Sequence, residues 1–271
     1  MEITAGLVKE LREKTGVGMM DCKKALANTN GNFEEAIKYL REKGLSAASK
    51  KSDRATQEGR VFTAVSADNT QGIIVEVNCE TDFVANNQAF LDLGNGIAEA
   101  LLNSSASSLD EVAALTVNGK SLNEVLSEAV LKLGENITVK RFERFSQAGQ
   151  LASYIHMNGK IGVLVSFNGE VEAGLGRDIA MQIAASQPLY VRQEEVPAAE
   201  IEKESEIIRN QALNEGKPAA ILDKVVAGKI SKFFKDICLV EQAFIKDQDK
   251  TIKQLLTGST TVVKFSRYSL N

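Results

Sequence analysis

Residues 72–80, Gly-Ile-Ile-Val-Glu-Val-Asn-Cys-Glu, align without a gap on residues 162–170, Gly-Val-Leu-Val-Ser-Phe-Asn-Gly-Glu. The register runs back to Gly59 and Gly149, and it resumes downstream, where Leu93-Gly94-x-x-Ile97-Ala98 matches Leu175-Gly176-x-x-Ile179-Ala180. The offset is 90 residues before the corner and 82 after it, so the first copy holds eight extra residues there. Each copy reads as strand, turn, strand, corner and helix, which predicts two related α+β units with antiparallel sheets. The extra residues, roughly Thr81 to Gln88, take up most of the stretch Asn78-Cys-Glu-Thr-Asp-Phe-Val-Ala-Asn-Asn87 and run one residue past it. Residues that the repeat's own packing does not require predict a protrusion, and loops on a rigid scaffold are where function concentrates.

The chain has 271 residues, enough for one to three domains, and 44% of them are hydrophobic. No run approaches the roughly 18–20 apolar residues of a membrane span. The opening Met-Glu-Ile-Thr has neither the charged n-region nor the apolar h-region of a secretory signal. A net charge of −4 provides no global basic field for nucleic acid. Three widely spaced cysteines (Cys22, Cys79, Cys238) suit neither a disulfide framework nor a paired metal site, which fits a reducing cytoplasm.

Residues 1–45 read as a three-helix module. Thr4 caps the first helix, Gly16 ends it, and Asn32 with Glu35 opens the third. So small a module implies docking on something larger. Residues 46–59 lack periodicity and read as a polar linker or a helical extension. The first core unit spans 60–148, with capping boxes at Ser108-x-x-Glu111 and Ser121-x-x-Glu124. The second comprises 149–189 and 236–271, and its Asn158-Gly159 predicts a type I′ hairpin turn. Between its two parts, residues 190–235 predict an inserted antiparallel helical hairpin, a short coiled coil, with Ile201, Ile208 and Leu213 on one helix and Ile221, Leu222, Val225, Ile230 and Phe233 on the other. The chain then returns through a strand-like run at Ile237 to Val240, a short helix at Thr251–Leu256 and a last strand at Thr260–Ser266.

Elements of covalent chemistry are sparse. His156 is the only histidine, so no Ser/His/Asp or Cys/His constellation and no three-ligand zinc site can be assembled. Gly94-x-Gly96 and Gly174-x-Gly176 do not form a nucleotide-binding fingerprint, and no phosphate-binding P-loop occurs. The clusters Lys50, Lys51, Arg54 and Lys140, Arg141, Arg144 read as solvated charge. No cofactor and no metal are expected.

Two longer motifs carry a resemblance. Leu11-Arg-Glu-Lys-Thr-Gly-Val-Gly-Met-Met-Asp-Cys-Lys-Lys-Ala-Leu26 resembles the N-terminal signature of the bacterial elongation factor Ts family, and Asn78-Cys-Glu-Thr-Asp-Phe-Val-Ala85 resembles its second signature. The resemblance extends over the whole chain: a module like a ubiquitin-associated domain, two related core subdomains and an inserted hairpin. Some members continue into a C-terminal helical module, and contacts made through such a module are not carried over here.

The resemblance implies guanine-nucleotide exchange on elongation factor Tu, without covalent chemistry. It implies that Asp82 and Phe83, flanked by Thr81 and Val84, push toward the partner's magnesium site. It implies that Leu11, Arg12, Val17, Met19 and Met20 grip a helix of the same partner domain. It also implies that the hairpin serves self-association, as a homodimer or a 2:2 complex, with no direct nucleic-acid or membrane contact. A rival reading is an adaptor whose N-terminal module binds a partner helix, and a third is an enzyme with a carboxylate-only site.

Overall fold

The computed structural model describes residues 3–117, 119–146 and 149–270. Helices α1 (Ala5–Thr15), α2 (Met19–Asn28) and α3 (Phe33–Lys51) form the N-terminal module. Thr4 Oγ1 accepts from the Leu7 N–H at 3.3 Å, and Gly16 ends α1 in the left-handed region at φ 68°. Val8, Leu11, Val17, Cys22, Ala25, Leu26, Ala36 and Leu40 make its small core. The expected linker at 46–59 is corrected in favour of the alternative helical extension: α3 runs on to Lys51, so only the short segment 52–57 joins the module to the first strand. The extension is held because α3 lies along a core helix, close enough that a Cβ on Gly44 would stand 3.1 Å from the Ser127 carbonyl oxygen.

The first core unit contains β1 (Glu58–Val65), β2 (Gly72–Cys79), α4 (Asp82–Ala85), α5 (Gln88–Leu102), α6 (Leu109–Ala113), β3 (Thr116–Val117), β4 (Lys120–Ser121), α7 (Leu122–Leu133) and β5 (Thr138–Phe145). Its three-stranded antiparallel sheet has the order β1-β2-β5. Ser121 and Glu124 close the expected capping box on α7, and Gly134 ends that helix at φ 82°.

The second unit contains β6 (Leu151–His156), β7 (Ile161–Phe167), α8 (Ala173–Ser186), α9 (Ala198–Asn214), α10 (Leu222–Ile237), β8 (Ala243–Phe244), β9 (Asp247–Thr251), α11 (Ile252–Leu255) and β10 (Val262–Ser269). Its sheet, β6-β7-β10, is antiparallel throughout and repeats the order of the first. The β6–β7 turn places Asn158 and Gly159 at φ 54° and 87°, and the Lys160 N–H donates to the Met157 carbonyl at 3.2 Å.

The repeat seen in the sequence has a backbone cause. Gly59 and Gly149, at φ 146° and 139°, enter equivalent strands, and a Cβ on either would strike a carbonyl oxygen across the ladder, Val77 or Phe167 respectively. No other residue type tolerates both conditions. Each sheet packs one face on its own helices. The other faces meet through Val61, Ile74, Phe145, Leu151, Leu164, Tyr268 and Leu270.

The insertion is a helical hairpin closed at its base, where the Leu189 and Tyr190 N–H groups donate to the Ile237 carbonyl at 2.8 and 3.1 Å. Ile208, Ala212, Leu222 and Val226 are its buried residues. Two seam expectations are corrected: Leu213 and Ile221 are exposed, because they face outward near the tip of the hairpin. The expected strand at Ile237 to Val240 is also corrected. α10 continues through Ile237, and only a single parallel bridge, Tyr190 to Cys238, forms there before a tight turn at 239–241.

Candidate functional site

The corner between β2 and α5 begins on a strand buried at every position from Gly72 to Cys79. Thr81 is extended (φ −128°, ψ 157°), and its hydroxyl caps the single turn of α4 by accepting from the Val84 N–H. At 3.6 residues per turn, a four-residue helix cannot bury all its side chains against one surface. Val84 and Ala85 turn into the first core, and their two predecessors turn out. Phe83 is consequently 84% exposed, the most exposed of the large hydrophobic side chains among the described residues. Asp82 is exposed beside it, at the helix N-terminus, where the macrodipole favours a carboxylate.

Two side chains from elsewhere buttress the turn. One oxygen of the Glu135 carboxylate accepts from the backbone N–H groups of Glu80 and Thr81 at 3.1 and 3.0 Å, and the other accepts from the Thr81 hydroxyl at 2.6 Å. At the far end, the Arg60 guanidinium donates to the Ala85 carbonyl at 2.8 Å and to the Asn86 side-chain oxygen. Arg60's methylenes lie against Gly159, where a Cβ would stand 2.9 Å from Cδ. The Cys79 thiol beneath the corner donates to the Thr81 carbonyl at 3.2 Å, and burial pushes it up to about 12.

The structure sorts the sequence candidates. Asp82 and Phe83 are presented outward, while Thr81 is half-buried and holds the turn. Val84 is corrected to an anchor, 9% exposed in the core cluster. Leu11 and Val17 are likewise corrected: at 0% and 5% exposure they are the module's own core, because α1 turns Leu11 inward with Val8 and the loop folds Val17 under Cys22. Arg12, Met19 and Met20 remain accessible, the two methionines at 42% and 64%. A cleft of about 240 Å³ lined by Thr15, Ala89, Asp92, Leu93, Glu128 and Lys132 lies between the module and the first half of α5.

Sequence reasoning missed Glu135 and Arg60. Glu135 follows the helix-ending Gly134 and lies 54 residues from Thr81, a separation that no local pattern spans. Among the described residues, no group of three or more His, Cys, Asp or Glu is arranged to hold a metal ion, and no helix is long and apolar enough to cross a membrane.

What this corner offers outward is an aromatic ring and a carboxylate on a braced turn, suited to entering another macromolecule's surface. Comparison with known proteins gives the class: the relatives are factors of translation elongation, and the chain is a guanine-nucleotide exchange factor of that process. The family description "Elongation factor TS" matches residues 80–271. An elongation factor Ts of Clostridium perfringens (strain SM101 / Type A) is 50% identical over 98% of this chain and 92% of its own length. One from Halothermothrix orenii is 46% identical over 100% of this chain and 93% of its own length. The chain belongs to the elongation factor Ts family.

Proposed function

We propose that this exchange factor acts in the cytoplasm on elongation factor Tu, and that it releases GDP by inserting Phe83, with Asp82 beside it, next to the partner's magnesium site. The observation that carries this reading is the 84% exposure of Phe83 on a turn whose next two residues are locked in the core. Magnesium bridges the nucleotide phosphates and orders the switch segments. A side chain that displaces the elements positioning that ion weakens nucleotide binding without touching the nucleotide. Asp82 adds a negative charge that competes for the same electropositive surroundings.

Magnitudes require a second contact. Accelerating release about 10⁴-fold needs roughly 5.5 kcal/mol of differential stabilisation. Burying one Phe provides about 1.5–3 kcal/mol. Arg12, Met19 and Met20 on the N-terminal module supply that second contact, and soft thioethers suit a helix surface. Linkage makes the effect reciprocal, so nucleotide must expel the factor as strongly as the factor expels nucleotide. The exposed Ile207, Leu213 and Ile221 support a role of the helical hairpin in self-association or in contact with a second partner molecule.

The test is stopped-flow release of fluorescent GDP from elongation factor Tu. Wild-type chain is expected to accelerate release strongly, and Phe83→Ala and Asp82→Ala are each expected to lose at least about tenfold, about 1.4 kcal/mol. Wild-type rates from both variants would defeat the assignment of the corner. No acceleration by the unaltered chain would favour an adaptor.

A further inference from the structure

We propose that Glu135 is a positioning residue of the exchange step, the centre of a junction that fixes the Asp82–Phe83 corner relative to the N-terminal module. The proposal rests on the reading of Phe83 as the intruding side chain. Three segments distant in the sequence meet at this point. Glu135 receives both backbone N–H groups of Glu80 and Thr81 and the Thr81 hydroxyl. The bond is returned: the Glu80 carboxylate accepts from the Asn136 N–H at 2.7 Å, so each corner is tied by the other's acid. Asn136, 4% exposed, extends its carboxamide to the carbonyls of Ser52 and Arg54 at 3.2 and 2.9 Å, immediately beyond the C-terminal end of α3. Lys51 donates to the Gly134 carbonyl, and Arg54 pairs with Glu80 at 3.4 Å.

The geometry separates this role from bulk stability. The bonds from Glu135 fall on the two residues that precede the outward turn, and they orient the N-cap from which α4 springs. A helix of four residues has too few internal bonds to hold its own direction. Functional side chains must be held within about 0.5 Å of their productive position. The same junction ends α3, so the module carrying Arg12, Met19 and Met20 and the corner carrying Phe83 approach a partner at a set spacing. Both acids are partly buried, with carboxylate oxygens engaged by backbone donors.

The experiment uses the full chain with elongation factor Tu loaded with fluorescent GDP. It measures the saturating release rate and the half-saturating concentration for wild type, Glu135→Ala, Phe83→Ala and the double variant. Glu135→Ala is expected to lower the saturating rate at least about tenfold while the half-saturating concentration stays within about threefold. The double variant is expected to lose clearly less than the product of the two single losses, since both act through the same corner. Glu135→Gln keeps a carbonyl oxygen in reach of both N–H groups and is expected to recover most of the rate. Additive losses in the double variant, or an unchanged saturating rate in Glu135→Ala, overturn the proposal and leave the wedge standing. A wild-type rate from Phe83→Ala overturns the reading of Phe83 as the intruding side chain, and this proposal with it. Should Glu135→Ala fail to fold, Thr81→Val removes the hydroxyl that Glu135 binds; it is expected to slow release at least about threefold, and a wild-type rate from it overturns the proposal.

Discussion

Val61 of the first sheet closes on Gly162 of the second so tightly that a Cβ on the glycine would overlap the valine's Cγ1. The internal repeat makes the contact reciprocal: Leu151, the counterpart of Val61, closes on Gly72, the counterpart of Gly162, leaving 2.8 Å between Leu151 Cδ1 and a Cβ placed there. The two halves are thus joined by a pair of equivalent knobs and bare-backbone sockets.

Filling a socket overpacks this interface. Gly162→Ala and Gly72→Ala are each expected to cost about 1–3 kcal/mol. Urea melts check this as a lower midpoint at an unchanged slope. Val61→Ala in the Gly162→Ala background is expected to recover part of the loss, and a purely additive result would place the strain elsewhere.

Glu76 is fully buried on β2, paired with Lys140 at 3.2 Å and Arg141 at 2.7 Å. Both cations are 43% or more exposed, so without the acid they return to water, whereas the acid without them is stranded. Arg141→Met with Lys140→Met is therefore expected to cost about 3–5 kcal/mol. Glu76→Gln is expected to cost less. Chemical denaturation of both variants checks the order, and the reverse order would refute it.

Arg60 ties the end of α4 to the turn of the second unit. Arg60→Ala is expected to destabilise the chain by about 1.5–3 kcal/mol, the range for bonds to a charged group. It is also expected to slow GDP release, as the corner loses its second brace. Arg60→Lys, which cannot reach the Ala85 carbonyl and Asn86 together, is expected to rescue only in part. A thermal melt and a release assay on the same preparations check both effects.

Burial pushes the Cys79 and Tyr268 groups up to about 12 and Cys238 up to about 11, against ordinary values of 9.0 for the thiols and 10.0 for the phenol. Both kinds of group are neutral when protonated. Below pH 9 native and unfolded chains hold these protons equally, and the stabilisation is complete. Above it the unfolded chain releases protons that the native chain retains, so stability falls as pH rises from about 9 toward 12. Denaturant melts at pH 8, 9.5 and 11 are expected to show this decline. Tyr268→Phe is expected to flatten it, and an unchanged slope would refute the role of that phenol.

The features legible in the sequence are those with a local backbone cause. Gly59 and Gly149 betray the repeat because each must hold a positive φ against a neighbouring carbonyl. The corner shows itself as surplus length. Ser121, Glu124 and Gly134 mark α7 because caps are short-range chemistry. The signature stretches, by contrast, mix surface with core: Leu11, Val17 and Val84 stand beside Arg12, Met19 and Phe83, and only packing separates them. The extension of α3 to Lys51 depends on α7 lying alongside, and the grip of Glu135 on Thr81 depends on the fold bringing two distant corners together.

The eight surplus residues occupy only one of the two matching corners. A molecule assembled from twin halves is thereby left with one projecting aromatic tip and no counterpart, its internal near-symmetry broken at that corner. On the proposed role of Phe83, each chain would bring a single such tip to its partner, whatever the number of copies that associate.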